Sequence, residues 1–258
     1  MRYAKFSCCI AFIILITSGT AFAWEYIGYA EAVQRVQIRS EISAKITKIH
    51  FHEGSYVDRS AALFTLDASE FQAEVSLRKA ELSMAQAKFD GAFKYYNRLK
   101  ATKKAMSASD IDNAESEELQ AKAAVDAAKA NLRTAEIQLS RTKITAPFSG
   151  RIGKINFYPG SYVSPENVLC EIIQLNPIRI LFAMPDRDYF SIKNSQKKIK
   201  YELLLSDGSL YSGRIEKDFE DNIMNSDTGT INIWLKVSND DNILIPGALV
   251  RVRVTAGE

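Results

Sequence analysis

A twelve-residue pattern occurs twice in this chain, and an internal repeat constrains the fold more than any other feature of a sequence. The segment I-T-K-I-H-F-H-E-G-S-Y-V at residues 46–57 returns as I-G-K-I-N-F-Y-P-G-S-Y-V at residues 152–163, with eight of twelve positions identical. Both copies contain a glycine, Gly54 or Gly160, where a tight turn needs a positive φ. The copies therefore predict two halves of one small β module.

The sequence between the two copies has the spacing of paired helices. Asp67 with Glu70 predicts the start of a first helix through a capping box, and Ser107 with Asp110 predicts the start of a second. Apolar residues recur every seven positions, which is typical of a coiled-coil seam. The seam rows are Val75, Leu82, Phe89, Tyr96 and Phe71, Ala85, Ala92, Leu99, then Ile111, Val125, Leu132, Leu139 and Ala114, Ala121, Ala128, Ala135. A short turn makes such helices antiparallel, so residues 67–142 are predicted to form a long antiparallel α-helical hairpin.

The sequence after the second copy, residues 176–258, is predicted to form a small antiparallel β-barrel. Asp207-Gly208 is a hairpin turn signal, and Pro185 to Lys193 has the pattern of a short helix that begins at a proline. Strand-like segments occur at residues 178–184, 201–205, 210–215, 231–237 and 248–254.

The first 23 residues have the parts of a cleavable secretory signal peptide, which predicts export from the cytoplasm. Arg2 and Lys5 give a positive start, an apolar run follows from Phe6 to Ile16, and Ala21-Phe22-Ala23 fits a cleavage site. The apolar run is shorter than the roughly 20 residues that a membrane-spanning helix needs. Retention of this segment as an uncleaved anchor stays open as the alternative.

Cysteine usage and charge exclude several classes of protein. Cys8 and Cys9 leave with the signal peptide, and neither has the small residues expected before a lipid-modified cysteine, so we expect no lipid anchor. Cys170 is then the single cysteine, and we expect it to be a small buried apolar residue. The net charge is +2 with both signs mixed throughout, so nucleic acid is not an expected partner.

The sequence contains no pattern typical of catalysis. His50 and His52 share one face of a predicted strand, but a metal site needs further ligands, and the second copy has Asn156 and Tyr158 at these positions. No Ser-His-Asp order, phosphate-binding loop or paired-acid spacing occurs. We therefore expect neither an enzyme nor a bound metal.

Three further motifs complete the pattern, at residues 142–154 (T-K-I-T-A-P-F-S-G-R-I-G-K), 227–231 (D-T-G-T-I) and 244–254 (L-I-P-G-A-L-V-R-V-R-V). With the split repeat and the helices, they resemble the periplasmic adaptor (membrane fusion) proteins of tripartite efflux pumps, especially those that serve resistance–nodulation–division (RND) transporters. The resemblance covers nearly all of residues 28–254.

This resemblance implies an elongated multi-module fold of mixed α and β structure. A lipoyl- or biotinyl-like β-sandwich, built from residues 24–66 and 143–175, would be interrupted by the long antiparallel helical hairpin and followed by the barrel. Lipoyl modules carry their cofactor on a lysine at a tight hairpin, and the helices replace that hairpin here. We therefore expect no lipoyl or biotinyl cofactor. Family members usually have a fourth, membrane-proximal domain, which is expected to be absent from this chain.

The resemblance also implies a function. The chain would be a non-catalytic adaptor that bridges an inner-membrane efflux transporter and an outer-membrane channel protein, with itself as a further partner in a homo-hexamer. It would be held at the inner membrane through its transporter. Family members tend to present an Arg, a Leu four residues on and a Ser seven beyond that at the hairpin tip. Here Arg98 and Ser107 match the first and last, nine residues apart rather than eleven, and Thr102 stands where the Leu is expected. The alternative for Ser107 is a helix cap alone. Alternatives are an adaptor for an ATP-driven or metal exporter, and a periplasmic binding or regulatory protein that has lost pump docking.

Overall fold

The computed structural model describes residues 23–101, 107–194 and 198–256. The predicted signal segment up to residue 22 lies outside the described residues. In chain order the elements are β1 (Ala23–Ala32), β2 (Arg35–Arg39), β3 (Ala44–Ile49), β4 (Tyr56–Val57), β5 (Ala62–Leu66), α1 (Ser69–Ala101), α2 (Ala108–Ser140), β6 (Lys143–Thr145), β7 (Gly150–Ile152), β8 (Tyr162–Val163), β9 (Val168–Ile173), β10 (Ile178–Pro185), α3 (Asp186–Asn194), β11 (Ile199–Leu204), β12 (Ile215–Glu220), β13 (Thr230–Val237) and β14 (Leu249–Ala256). The chain divides into two compact units, of which one is Ala32–Asn176 and the other combines the chain up to Glu31 with the chain from Pro177 onward.

The two copies of the repeat build one β-sandwich. Its sheets have the strand orders β2-β9-β7-β4 and β6-β5-β3-β8, so each sheet takes two strands from each half of the unit. The repeat relates the two sheets: Tyr56 of the first copy pairs with Arg151, and Tyr162 of the second copy pairs with Lys45 at the equivalent place. In each sheet the two central strands come from one half and the two outer strands from the other, so both halves are needed to complete either sheet.

Equivalent positions of the two copies fill the same core. Ile46 and Ile152 are 0% and 2% exposed, and the rings of Phe51 and Phe64 meet edge to face with centroids 5.3 Å apart. Burial of each such side chain stabilises the fold by about 1.5–3 kcal/mol. Gly54 and Gly160 close the equivalent turns with φ values of 75° and 96°, as the sequence predicted.

Helices α1 and α2 each have 33 residues, which corresponds to a length of about 50 Å at 1.5 Å per residue. The seam rows that the sequence singled out are buried or half-buried along both helices. Phe71 and Gln138 line one groove between the helices, and Ala92 and Ala121 line another, so the helices pass each other in opposite directions. Six seam positions are buried most completely: Val75, Leu99, Ala114, Ala121, Val125 and Ala135.

The first helix begins at a cap that differs in part from the prediction. The Asp67 carboxylate accepts hydrogen bonds from the Ser69 amide (3.0 Å) and hydroxyl (2.7 Å), which hold the Asp67 pKa below its usual value. The Asp67 amide donates to the Lys45 carbonyl at 2.8 Å. The predicted return bond from Glu70 is therefore wrong, because strand β3 already satisfies the donor that Glu70 would bind.

The second unit is a six-stranded sheet with the order β11-β14-β1-β10-β13-β12. Strand β1 pairs antiparallel with β14, from Ala23 opposite Thr255 to Tyr29 opposite Leu249. The sequence prediction assigned residues 24–31 to the sandwich, and for this segment it was wrong. The alternation of residue types along β1 indicates a strand but does not identify the strand it pairs with. That strand, β14, lies more than 200 residues away in the sequence.

The core of this unit is formed by side chains of the six-stranded sheet together with side chains of α3. Tyr26 stacks on Phe182 with ring centroids 5.5 Å apart, and its hydroxyl donates to an Asp188 carboxylate oxygen at 3.1 Å. Burial and this acidic partner raise the Tyr26 pKa. The Tyr189 hydroxyl donates to Glu220 at 3.3 Å, so α3 is attached to strands on both sides of the unit. No helix within the described ranges is long and apolar enough to span a membrane.

Candidate functional site

The candidate site is the end of the helix pair where α1 finishes and α2 begins. Arg98 lies in the last turn of α1, and Ser107 immediately precedes α2. Thr102, the third residue of the predicted contact set, lies outside the described residues. The Arg98 side chain extends over the Tyr95 ring, with the guanidinium carbon 6.0 Å from the ring centre. Arg98 is exposed at this end of the helices.

Ser107 is the N-cap of α2. Its φ and ψ of −67° and 144° are extended, and its hydroxyl oxygen accepts a hydrogen bond from the Ser109 amide at 3.2 Å. Its carbonyl oxygen accepts from the Asp110 amide at 3.1 Å. An N-cap of this kind stabilises a helix by about 0.5–2 kcal/mol, so the structure gives Ser107 a role in its own helix.

The two helix ends carry opposite charge. The last turn of α1 contains Arg98 and Lys100, whereas Asp110 lies in the first turn of α2 and Asp112 and Glu115 follow it. Each sign suits its own helix end, because a helix macrodipole favours cations at the C-terminus and anions at the N-terminus. A basic and an acidic surface therefore lie at the same end of the helix pair.

Exposed aromatic rings precede the basic last turn of α1. The sequence analysis did not predict that they are exposed. Phe93 and Tyr95 are 47% and 45% exposed, and the Phe93 ring stacks on Phe89 at 5.8 Å. Lys100 lies over the Tyr96 ring at 5.3 Å. The heptad count could have revealed Phe93 and Tyr95, because neither belongs to the rows that form the seam.

The histidine pair lies in the sandwich, and His50 takes part in an ordinary hydrogen bond. Nε2 of His50 is 2.8 Å from the Thr65 hydroxyl on the adjacent strand β5. His52 is exposed in the turn that follows β3. No group of three or more histidine, cysteine or acidic side chains suited to a metal ion occurs in the part of the chain that the structure describes.

This architecture, a sandwich assembled from two halves on either side of a helix pair and a second β unit, agrees with two family models. Residues 34–174 match the barrel-sandwich hybrid domain of RND membrane fusion proteins, and residues 177–258 match the β-barrel domain of the same proteins. The chain therefore belongs to the RND membrane fusion protein family.

Individual relatives are similar along most of the chain. The multidrug efflux pump subunit AcrA of Escherichia coli (strain K12) is 32% identical over 244 residues, which are 89% of this chain and 61% of that protein. The efflux pump periplasmic linker BepD of Brucella suis biovar 1 (strain 1330) is 30% identical over 246 residues, which are 90% of this chain and 62% of that protein. The chain thus spans about three fifths of the length of these curated relatives.

Solved structures share the fold at lower sequence identity. A putative efflux transporter from Bacteroides eggerthii has a TM-score of 0.67 at 19% identity, and the match covers 99% of this chain and 73% of that one. A MacA–MexA chimeric protein containing the Pseudomonas aeruginosa MexA α-hairpin domain has a TM-score of 0.63 at 22% identity, covering 92% of this chain and 83% of that one.

Proposed function

We propose that this chain is a periplasmic adaptor of a tripartite efflux system, which bridges an inner-membrane transporter and an outer-membrane channel. The observation that carries the proposal is the split sandwich within a chain of this family. Relatives named as an efflux pump subunit and as a periplasmic linker support the assignment. The role is mechanical: the chain aligns and seals a conduit and performs no chemistry of its own.

The helices supply the long arm of the adaptor. In this proposal α1 and α2 form one antiparallel hairpin, and Arg98 and Ser107 lie at the end that reaches the outer-membrane channel. Arg98 contributes an exposed cation, and the exposed rings of Phe93 and Tyr95 contribute apolar area behind it. Ser107 acts through the start of α2, because its hydroxyl oxygen already binds the helix backbone.

A second row of small and apolar residues on α1 supports self-association. Leu77 and Met84 are 51% and 69% exposed although both are large and apolar. The row keeps the sevenfold spacing of the seam but is exposed, and its members are Ala73, Leu77, Ala80, Met84 and Ala87. An exposed apolar stripe on a helix usually marks a packing surface. We propose that another copy of this chain covers it.

Helix α2 has a complementary edge. Ala123, Ala127 and Ala130 form an exposed row of small side chains on α2. The residues of α1 and α2 that line their shared grooves give the alignment of the two antiparallel helices. In this alignment Met84 and Ala127 lie at about the same level along the helix axes. In a ring of parallel hairpins, α1 of one copy faces α2 of the next, so the large side chain meets the small one. We propose six copies in such a ring, located in the periplasm and held at the inner membrane by the transporter.

Photo-crosslinking in living cells tests the bridging role. A crosslinking amino acid at Arg98 should capture an outer-membrane channel protein, and one at the exposed barrel residue Phe219 should capture an inner-membrane transporter. Ser83, which is exposed on the polar side of α1, is the matched control and should capture neither. Failure to capture a channel from Arg98 and a transporter from Phe219 would contradict the proposal.

A further inference from the structure

The six-stranded sheet closes at its two terminal strands, and a small cavity lies beside this closure. Strands β11 and β12 are the first and last strands of the sheet order, and they contact each other. The cavity has a volume of about 90 Å³, and α3 contributes to its lining together with β10, β11, β12 and β13. Its walls are mainly apolar and include Met184, Ile192, Ile199, Tyr201 and Ile233.

The inner part of the cavity suits an aliphatic group. Met184, Ile192 and Ile233 are 2%, 6% and 2% exposed, and their side chains offer hydrocarbon and one thioether. The volume equals about three water molecules at roughly 30 Å³ each, but a buried water needs roughly two to four polar partners, which these side chains do not supply. The space therefore fits a short branched alkyl group better than water.

The mouth of the cavity carries two ammonium groups and one carboxylate. Lys193 Nζ donates to the Tyr189 hydroxyl at 2.9 Å, and this hydroxyl donates to Glu220 Oε1 at 3.3 Å. Lys217 Nζ donates to the other carboxylate oxygen of Glu220. Both lysines are exposed, so the cavity extends from the apolar interior to a charged surface. Among the residues that line the cavity, two positive charges therefore share one negative charge.

Donors remain at the mouth for a second anionic group. A lysine ammonium has several N–H donors and no acceptor, so Lys193 and Lys217 can each bind a further oxygen in addition to their partners in the network. Burial raises the pKa of Tyr201 to about 12, so its hydroxyl stays protonated and can also donate. This set of groups favours a carboxylate over a cation.

The acidic side chains next to the mouth have cations of their own. A larger cleft of about 660 Å³ adjoins the cavity and contains Glu202 and Glu216. Glu202 pairs with Lys200 at 2.8 Å, and Glu216 pairs with Arg214 at 2.5 Å. These pairs leave the excess positive charge of the mouth in place.

We propose that this cavity binds an amphipathic organic anion, with a short branched alkyl group in the apolar interior and a carboxylate at the mouth between Lys193 and Lys217. The buried walls select the alkyl group because its transfer from water is favourable, and the two ammonium groups select the negative charge through charge-assisted hydrogen bonds. An apolar cavity with a few converging polar groups is the usual form of a small-molecule site. This inference goes beyond the proposed adaptor function and does not depend on it.

NMR of the full chain, labelled with ¹³C at the isoleucine and methionine methyl groups, tests the proposal with 4-methylpentanoate as the probe. Titration should shift the methyl signals of Met184, Ile192 and Ile233, with a Kd of about 1–10 mM. Three matched compounds separate the contributions: 4-methylpentan-1-amine reverses the charge, 4-methylpentan-1-ol removes it, and acetate lacks the alkyl group. We expect each of them to bind at least about fivefold more weakly than the probe.

Variants of the lysines test the mouth. Lys193→Met and Lys217→Met each remove one charge and nearly keep the length of the side chain, so each should weaken binding of 4-methylpentanoate about threefold or more. Lys236→Met is the matched control, because Lys236 is exposed on β13 outside the cavity lining, and it should bind like the natural chain. Circular dichroism verifies that the variants are folded.

Three results would overturn the proposal. The first is the absence of shifts at the lining methyl groups up to about 50 mM 4-methylpentanoate. The second is binding of the amine, the alcohol or acetate as tight as that of the probe. The third is unchanged binding of the probe by both Lys193→Met and Lys217→Met.

Discussion

Truncation of one leucine in the helix seam should lower the free energy of unfolding of α1 and α2. The same truncation outside the seam should change it much less. Leu99 of α1 is 5% exposed, and Leu119 of α2 is 56% exposed. Both changes, Leu99→Ala and Leu119→Ala, remove the same three carbons from a helix. They therefore alter helix propensity equally and differ only in what the side chain contacts.

The expected magnitudes follow from burial. Three buried carbons at about 0.8 kcal/mol each give about 2.4 kcal/mol for Leu99, before any cavity cost. Measured Leu→Ala changes in cores span about 2–5 kcal/mol, and a two-helix seam can relax toward a cavity, so we expect the lower part of that range. Leu119 retains more than half of its exposure, so its truncation should cost about 1 kcal/mol or less.

Urea unfolding followed by circular dichroism at the helical band measures this difference. The signal reports on α1 and α2, because they contribute 33 residues each against nine in α3. At an m-value of about 1–3 kcal/mol per molar urea, the Leu99 variant should unfold about 1–2 M earlier than the natural chain. An unchanged midpoint for Leu99→Ala, or an equal loss for Leu119→Ala, would refute the assignment of the seam.

Three further predictions concern the sandwich and its junction with the helices. Gly150→Ala should destabilise the sandwich by about 1–3 kcal/mol in thermal unfolding, because the added Cβ would lie 2.5 Å from the Ile173 carbonyl oxygen. The thiol of Cys170 should resist a thiol reagent at pH 8 in the folded chain and react in urea, because burial raises its pKa to about 12 and keeps it protonated. Asp67→Ala should lower the thermal midpoint of the helices at neutral pH. The folded pKa of Asp67 lies below its usual value, so the stability that the carboxylate adds is present at pH values above that usual value. The difference in thermal midpoint from the natural chain should vanish as the pH falls through the folded pKa.

Sequence periodicity predicted the local structure well. The heptad rows identified the buried face of both helices, including Leu99 and Ala114, because the seam is set by spacing within one helix. The repeated glycines Gly54 and Gly160 identified two turns, because a positive φ is a local requirement. The helix start at Ser107 was equally predictable, although the Ser107 hydroxyl accepts a hydrogen bond from the Ser109 amide rather than from Asp110, which the prediction paired with it.

Strand partners were harder to predict, because pairing is not local. Strand β1 joins β14 rather than the sandwich, and nothing in its own alternation indicates that choice. Residues 210–215 were predicted as one strand, but the structure has only a bridge from Leu204 to Leu210, and β12 begins at Ile215.

The central claim is that one sandwich has been built from two distant halves of the chain, and a paired-cysteine experiment tests it most directly. Lys45 and Tyr162 face each other on β3 and β8, with the Ile46 amide bound to the Ser161 carbonyl at 2.9 Å next to them. This makes Lys45 and Tyr162 a non-hydrogen-bonded pair, with Cα atoms about 4.5 Å apart, a spacing that a disulfide tolerates.

Mild oxidation of the variant Lys45→Cys/Tyr162→Cys should therefore give an intramolecular disulfide, detected by peptide mapping in a mass spectrometer. Cys170 should not compete, because it is 1% exposed. Tyr56→Cys/Tyr162→Cys is the control, since these two exposed residues belong to different sheets, and it should remain reduced. A free thiol at both positions of the first variant, with no bond between the halves, would contradict the account.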